Sequence, residues 1–361
     1  MSAGEIILNQ PIIVLTGGGT AGHVMPHLAI VDEMRLRGWY PIYIGSNGLE
    51  KGIVEAANVP FLSIPTGKLR RYFSLQNFTD LFRIVAGIFV AFAYLIRFRP
   101  RVVFSKGGFV SVPVCVAAWM LRIPVITHES DMSPGLATKL IAPFARKILC
   151  TFPQTLSHLN QRKAIAVGTP VRKVLFEGKR DQGYAICGLV NVQSRPTILV
   201  MGGSQGAQAI NEALTGAANV IFEKFNVVHL TGKGKATKIA SQFYKQFEYV
   251  GADLPHLLAM ADVVISRAGA NSIFELLYLQ KPMILIPLGK GSRGDQILNA
   301  DAFVQKGFAS QIREVDLNST SLLIAIDDVM KRADDIRRKQ SESGILPAND
   351  AILSMLREFM Q

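Results

Sequence analysis

PIIVLTGGGTAGH, residues 11–23, is the stretch on which the fold turns. Pro11–Thr16 is a short, β-branched apolar run, the pattern of a strand buried on both faces. Gly17, Gly18, Gly19, Thr20, Ala21 and Gly22 follow as a glycine-rich turn. A helical stretch then runs to about Arg37, where Gly38 closes it. Strand, glycine turn and helix in that order open a Rossmann-like unit. The order returns at TILVMGGSQG, residues 197–206, followed by a helix to about Ala218.

Working outward, strands are expected at Tyr40–Ile44, Phe61–Ile64, Arg101–Ser105, Pro124–Thr127 and Lys147–Cys150. Helices are expected between them at Glu50–Ala57, Gln76–Arg97, Val112–Leu121 and Gly135–Ala145. The second half continues with strands at Val227–Leu230, Tyr249–Val250, Val263–Ser266 and Met283–Pro287. This alternation predicts an α/β protein with two Rossmann-like domains built on parallel sheets covered on both faces. The expected domains are 1–169 and 170–345, with the boundary near Gly168–Pro170. The last apolar helix, around Asp350–Met360 and within about 346–361, follows a charged stretch (Lys331–Ser343) and is expected to pack back on the first domain.

A chain of 361 residues with 49% hydrophobic and 18% charged residues can bury a core in each of two domains. Its three cysteines (Cys115, Cys150, Cys187) make no CxxC pair, which argues against a disulfide scaffold or a zinc ribbon. Met1–Gln10 has no Lys or Arg ahead of its apolar stretch, so a cleaved secretory signal is not expected.

The net charge of +12 is uneven: basic residues outnumber acidic ones 17 to 8 over residues 1–165 and 22 to 19 over the rest. A basic first half suits a polyanionic partner, either nucleic acid or an anionic membrane surface. No nucleic-acid-binding motif accompanies these charges. Ile84–Ile96 (IVAGIFVAFAYLI) is the longest apolar run, bounded by Arg83 and by Arg97, Arg99 and Arg101. A spanning helix needs about 20 residues, so this one reads as a buried core helix or as a helix lying at a lipid headgroup boundary. Lys68–Phe73 (KLRRYF) suits the same boundary.

The first turn fits GxGxxG at Gly17, Gly19 and Gly22 and has the required context. A dinucleotide site would also need an acid at the tip of the second strand. That tip reads Ile44-Gly45-Ser46-Asn47, with Glu50 the first acid, which disfavours NAD. His23 directly follows the turn, where a neutral imidazole could accept a proton. His27, one turn on, reads as an ordinary helix-face residue. Gly107-Gly108-Phe109-Val110-Ser111 and Gly202–Gly206 are further strand-to-helix turns without the GK[ST] ending of a P-loop. Three such turns at sheet edges, divided between two domains, predict phosphate binding at an interdomain cleft. His128-Glu129-Ser130-Asp131 ends the fifth strand, but no second cluster completes a metal site. Ser266–Glu275 starts a helix whose Glu275 could accept ribose hydroxyls. Gln296 and Asn299 offer amides three residues apart, suited to sugar hydroxyls.

Taken together, GGGTAGHVMP, GGFVSVP, IPVITHESD, VGTPVR, MGGSQGAQAIN, ADVVISRAGANSIFE and GDQILNA resemble the successive signatures of the MurG family, from about Ile12 to Ala300. These are the membrane-associated N-acetylglucosaminyltransferases of peptidoglycan synthesis. The resemblance implies a GT-B fold, with two Rossmann-like domains facing each other across a cleft. It also implies inverting transfer of GlcNAc from UDP-GlcNAc to the C4 hydroxyl of the muramoyl sugar of lipid I, giving lipid II and UDP. UDP-GlcNAc is then a substrate, and no cofactor or metal site is required.

By the same resemblance, Thr20, Ala21 and Gly22 lie on the donor sugar and diphosphate side, and His23 is the general base. Asp131 stands where the family has Asn, in HESD rather than HEQN, and Ala21 replaces a glycine of the usual GGTGGH. Arg172, Ser204 and the backbone of Gly251 match nucleotide-binding positions. Ala270, Asn271, Ser272, Ile273, Phe274 and Glu275 match the segment that holds the nucleotide, with Glu275 on the ribose. Gln296 matches the amide that reads GlcNAc hydroxyls, with Asn299 beside it. Gly107, Gly108 and Ser111 are the candidates for the acceptor diphosphate.

The implied partners are UDP-GlcNAc, lipid I, the anionic cytoplasmic face of the cell membrane as a peripheral attachment, and other cell-wall enzymes, with no nucleic acid. The competing readings are another GT-B enzyme, such as a glycolipid synthase or a UDP-GlcNAc 2-epimerase, and a non-catalytic sugar-nucleotide-binding partner at the membrane.

Overall fold

The computed structural model describes residues 10–67, 75–189, 194–203, 206–289 and 294–360. Ser204, the Lys68–Phe73 segment and Met1–Asn9 lie outside the described residues. The chain divides into two compact units, Met1–Arg172 with Pro347–Gln361 and Lys173–Leu346.

The first unit is built on β1 (Ile12–Thr16), β2 (Tyr40–Gly45), β3 (Phe61–Ser63), β4 (Val102–Ser105), β5 (Val125–Glu129), β6 (Lys147–Cys150) and β7 (Ala164–Ala166). They form one sheet in the order β3-β2-β1-β4-β5-β6-β7, parallel throughout. The helices α1 (Met25–Leu36), α2 (Leu49–Ala56), α3 (Leu75–Phe98), α4 (Ser111–Met120) and α5 (Leu136–Ile141) connect them. Alternation along β1 explains its unbroken apolar run. Ile13 and Leu15 enter a core with Ile30 and Met34 of α1, while Val14 enters another with Ala91 and Leu95 of α3 and Val114 of α4.

The second unit repeats the plan. Its strands are β8 (Thr197–Met201), β9 (Asn226–Leu230), β10 (Tyr244–Phe247), β11 (Val263–Ser266), β12 (Met283–Leu285) and β13 (Ala309–Gln311). They run parallel in the order β10-β9-β8-β11-β12-β13. Its helices are α6 (Arg180–Cys187), α7 (Gln208–Lys224), α8 (Leu254–Met260), α9 (Ala270–Tyr278), α10 (Asp295–Gln305), α11 (Ser319–Lys331) and α12 (Ala333–Ser341). In each sheet the order reverses between the first and fourth strands of the unit, and ligands bind α/β sheets at such a switch point.

The expected strand Tyr249–Val250 is not formed. The third strand of the second unit is β10, which begins five residues earlier, an edge strand whose Lys245 and Gln246 hide it from an apolar-run reading. The charged stretch after Lys331 is helical. In α12 only Ala333, Ile336 and Gln340 are buried, and Gln340 Nε2 donates to the carbonyls of Lys281 (3.0 Å) and Phe308 (2.9 Å). Asn318 starts α11 with a capping box: its side chain accepts from Ser321 N, and Ser321 Oγ accepts from Asn318 N, both at 3.0 Å.

The last helix, α13 (Asn349–Met360), belongs to the first unit. It inserts Ile352, Leu353, Leu356 and Met360 into the core shared with α1. Each such side chain contributes about 1.5–3 kcal/mol, enough to hold a short helix in place. Asn349 anchors its start. Val171 N donates to Asn349 Oδ1 (2.9 Å), and Asn349 Nδ2 faces the oxygens of Val171 (3.0 Å), Ala29 (3.3 Å) and Glu33 (3.3 Å). Asn349→Ala leaves these buried groups short of partners and is expected to lower unfolding stability by about 2–3 kcal/mol. Urea unfolding measures this, and a loss below about 0.5 kcal/mol would show that the anchor contributes nothing.

Candidate active site

In the first unit the turns after β1 and β4 meet at the switch point. The carbonyl of Gly17 accepts from Tyr43 Oη at 3.0 Å, which holds the first turn down on β2. Glu50, 1% exposed, holds it from the other side: its carboxylate accepts from Ser46 N (3.0 Å), from Ser46 Oγ, and from Gly19 N at 3.4 Å. Glu50, the first acid after the second strand, is therefore spent on shaping the turn. Gly108 has φ +78°, and a methyl group on it would lie 2.3 Å from the carbonyl oxygen of Gly18. Two backbones meet there at a spacing that excludes any side chain.

Thr20, Ala21 and Gly22 lead into a short 3₁₀ turn, Ala21–His23, ahead of α1. His23 is half-buried, and its Nδ1 lies 3.0 Å from the carbonyl oxygen of Gly18 and 3.1 Å from Thr20 Oγ1. A carbonyl oxygen only accepts, so Nδ1 carries the proton and Nε2 is left as the basic nitrogen. His27 is not an ordinary helix-face residue. It is fully buried, edge-on to Tyr43 and Phe104 with ring centroids 5.6 and 5.1 Å away. Burial, and then the charge of Lys106, hold it well below the usual imidazole range.

The end of β5 is held by residues to which the sequence reading assigned no role. Glu129 accepts from Asp131 N (3.1 Å), Gly135 N (2.9 Å) and Thr138 Oγ1 (2.6 Å), which fixes the segment carrying Asp131. His128 Nε2 donates to the carbonyl of Gly168 at 2.8 Å, and its Nδ1 accepts from Lys106 Nζ. Both ring nitrogens are thereby used within the fold. Lys106 also donates to Ser130 Oγ at 2.7 Å. Ser111 Oγ donates to the carbonyl of Gly108 at 2.9 Å and is fully buried, so it closes the Gly107–Gly108 turn.

The second unit presents its own pair of turns. Gly202, Gly203 and Gly206 follow β8, and Gly206 at φ +67° packs against the carbonyl of Thr231. After β11, Gly269 precedes α9 and gives it no side-chain cap. Ala270, Ile273 and Phe274 are buried in the core, whereas Asn271, Ser272 and Glu275 are half-buried on the other side of the helix. Arg267, on the same turn, donates to Glu314 and to the carbonyl of Ile286 (3.2 Å), and Glu314 accepts from Gly289 N (3.0 Å). Burial works against the Glu314 charge, but the hydrogen bonds from Arg267 and Gly289 hold its carboxyl below the usual range.

Gln296 Oε1 accepts from Leu288 N at 3.0 Å. Asn299 is fully buried and donates to the carbonyl of Ala268 at 3.3 Å, so it braces the turn before α9 from beneath. Gly251 is exposed in the loop between β10 and α8, and Arg172 is half-buried at the end of the first unit's main segment.

The chain matches the glycosyltransferase family 28 N-terminal domain over residues 13–150 and the family 28 C-terminal domain over residues 197–354. A UDP-N-acetylglucosamine–N-acetylmuramyl-(pentapeptide) pyrophosphoryl-undecaprenol N-acetylglucosamine transferase of Clostridium novyi is 45% identical over 96% of this chain and 98% of its own length. A transferase of the same name from Bacillus cereus is 48% identical over 88% of this chain and 91% of its own. The crystal structure of Acinetobacter baumannii MurG superposes with a TM-score of 0.74 at 21% identity, covering 96% of this chain and 99% of that one. That likeness shows the fold, two parallel-sheet α/β domains of the GT-B class. With both domain models matched in order and close relatives aligned along nearly the whole length, the chain belongs to glycosyltransferase family 28, in the MurG family.

Proposed function

We propose that this chain transfers GlcNAc from UDP-GlcNAc to the C4 hydroxyl of the MurNAc sugar of lipid I, with inversion, releasing lipid II and UDP. The observation that carries the reading is His23, held at the switch point with Nδ1 protonated toward Gly18 and Nε2 basic. Nε2 takes the proton of the C4 hydroxyl as that oxygen attacks the anomeric carbon. The bond from that carbon to the diphosphate oxygen breaks, and UDP leaves with the electron pair. Backbone N–H groups at the Gly202–Gly206 turn and at the start of α9 stabilise the charge that develops on the diphosphate. The acceptor is assigned to the first unit, around His23, Asp131 and the Gly107–Ser111 turn. The donor is assigned mainly to the second, around Arg267, Ala270–Glu275 and Gln296, with Ser204 and Gly251 as further nucleotide contacts and Asn299 as a brace; in the first unit, Arg172 is assigned to the nucleotide and Thr20, Ala21 and Gly22 to the donor sugar and diphosphate.

The deciding experiment supplies labelled UDP-GlcNAc with and without lipid I. Label should enter the lipid only when lipid I is present. Free sugar released at the same rate without lipid I would instead indicate an epimerase or hydrolase of this fold.

Attachment to the cytoplasmic membrane surface is assigned to α3. Its apolar part, Asp80–Phe98, is 19 residues and so longer than the thirteen-residue run suggested, long and apolar enough by that measure to cross a membrane. One side of α3 is committed to the fold, however: Ala91 and Leu95 are buried, and Gly87 meets the backbone of Pro65. The other side exposes Leu81, Phe82, Val85, Phe89 and Ile96, with Arg83, Arg97, Arg99 and Arg101 also exposed. A helix packed on one side and greasy on the other, with cations at its ends, suits an anionic interface. Replacing both Phe82 and Phe89 with serine is expected to weaken binding to anionic vesicles on the order of 100-fold, from the loss of two buried aromatic rings. Binding should also weaken as salt rises. Co-sedimentation measures both, and full binding by the double variant would remove α3 from this role.

A further inference from the structure

Lys106 stands at the first position after β4, immediately before the Gly107–Gly108 turn, and is 2% exposed. An amine in such a place costs far more to bury than an apolar side chain of the same length. Here it has two partners on the end of β5 and the turn beyond. Its Nζ donates to His128 Nδ1 and to Ser130 Oγ, the latter at 2.7 Å. His128 is committed to the carbonyl of Gly168 through Nε2, so its Nδ1 can only accept. The groups that face Lys106 are His128 and Glu129 from β5, Asp131 from the turn after it and His27 from α1. Burial keeps both histidines neutral. Burial also brings the Lys106 amine down to about 7, against the pull of Glu129 and then Asp131 toward the charged form.

We infer that Lys106 is a positioning residue for the anionic acceptor. It ties the Ser130–Asp131 segment to the Gly107–Gly108 turn and places a buried positive charge behind the surface that receives the acceptor's diphosphate. This rests on the assignment of the acceptor to the first unit. It also accounts for Asp131 in this chain, because a carboxylate there faces a buried cation and favours its charged form. The ammonium is present below a pH of about 7 and lost above it. The acceptor's hold on the protein should therefore loosen as pH rises through that region.

The test is steady-state kinetics with lipid I varied at saturating UDP-GlcNAc, across neutral and mildly alkaline pH, with thermal melting as the check on folding. For the wild-type protein, kcat/KM for lipid I is expected to fall on the alkaline side of about 7. Lys106→Met is expected to raise KM for lipid I about tenfold, to flatten that alkaline limb, and to leave KM for UDP-GlcNAc within about twofold. If Lys106→Met melts too low to assay, Ser130→Ala takes its place. It removes one of the two acceptors of the bridge, and KM for lipid I should rise about threefold. An unchanged acceptor KM and alkaline limb in the variant overturns the inference, as does a loss confined to kcat. Wild-type protein that turns over no lipid I overturns the functional reading and this inference together, whereas normal wild-type turnover with an indifferent variant overturns the inference alone.

Discussion

Replacing His23 with alanine is expected to lower kcat by about 100-fold to 10,000-fold, the range over which a positioned general base contributes. The imidazole is half-buried, and its Nδ1 meets Gly18 and Thr20 within its own turn. His23 is not a core residue, so the melting temperature is expected to change little. The segment assigned to the nucleotide, Ala270–Glu275, lies in the second unit, so KM for UDP-GlcNAc should move by about twofold at most. Turnover within about fivefold of wild type would remove His23 from proton transfer.

Gly108→Ala is expected to be nearly as damaging, although it adds only a methyl group. At φ +78° any side chain is strained by about 1–2 kcal/mol. The new carbon would also lie 2.3 Å from the carbonyl oxygen of Gly18 and 3.1 Å from His23 Nδ1. The Gly18 carbonyl must move, and it is the group that sets which nitrogen of His23 carries the proton. We expect kcat to fall on the order of 100-fold, as befits a base that has lost its orientation. Gly107→Ala is the control. Its φ is +76°, but the nearest atom to the added carbon is Thr138 Oγ1 at 3.7 Å. It should cost stability of about 1–2 kcal/mol with little change in kcat. Equal activities for the two variants would show that backbone strain, not the approach to Gly18, governs the turn.

The contrast between these glycines marks how far the chain could be read without its fold. Both were legible as turn residues after β4, and His23 was legible as a side chain beside the first turn. The left-handed conformation of Gly107 and Gly108, and the fact that only one of them faces another backbone, depend on where β1 and β4 lie side by side. The strand at Tyr244–Phe247 leaves no apolar run in the sequence because an edge strand is half-solvated and carries Lys245 and Gln246. Helix α12 leaves as weak a signal because a single buried stripe suffices when Gln340 donates to carbonyls from two other segments.

Sequence alone determined the α/β class, the two strand–turn–helix openings, the glycosyltransferase resemblance and the imidazole beside the first turn. All of these are written in local patterns of apolar runs, glycines and spacing. Tertiary structure alone decided that Glu50 shapes the first turn, that Asn299 braces from beneath, that Glu129 fixes the end of β5, and that Lys106 reaches His128 and Ser130. Each of these depends on segments far apart in sequence being brought together by sheet order, and the energy of a buried polar group depends on the partner it finds there.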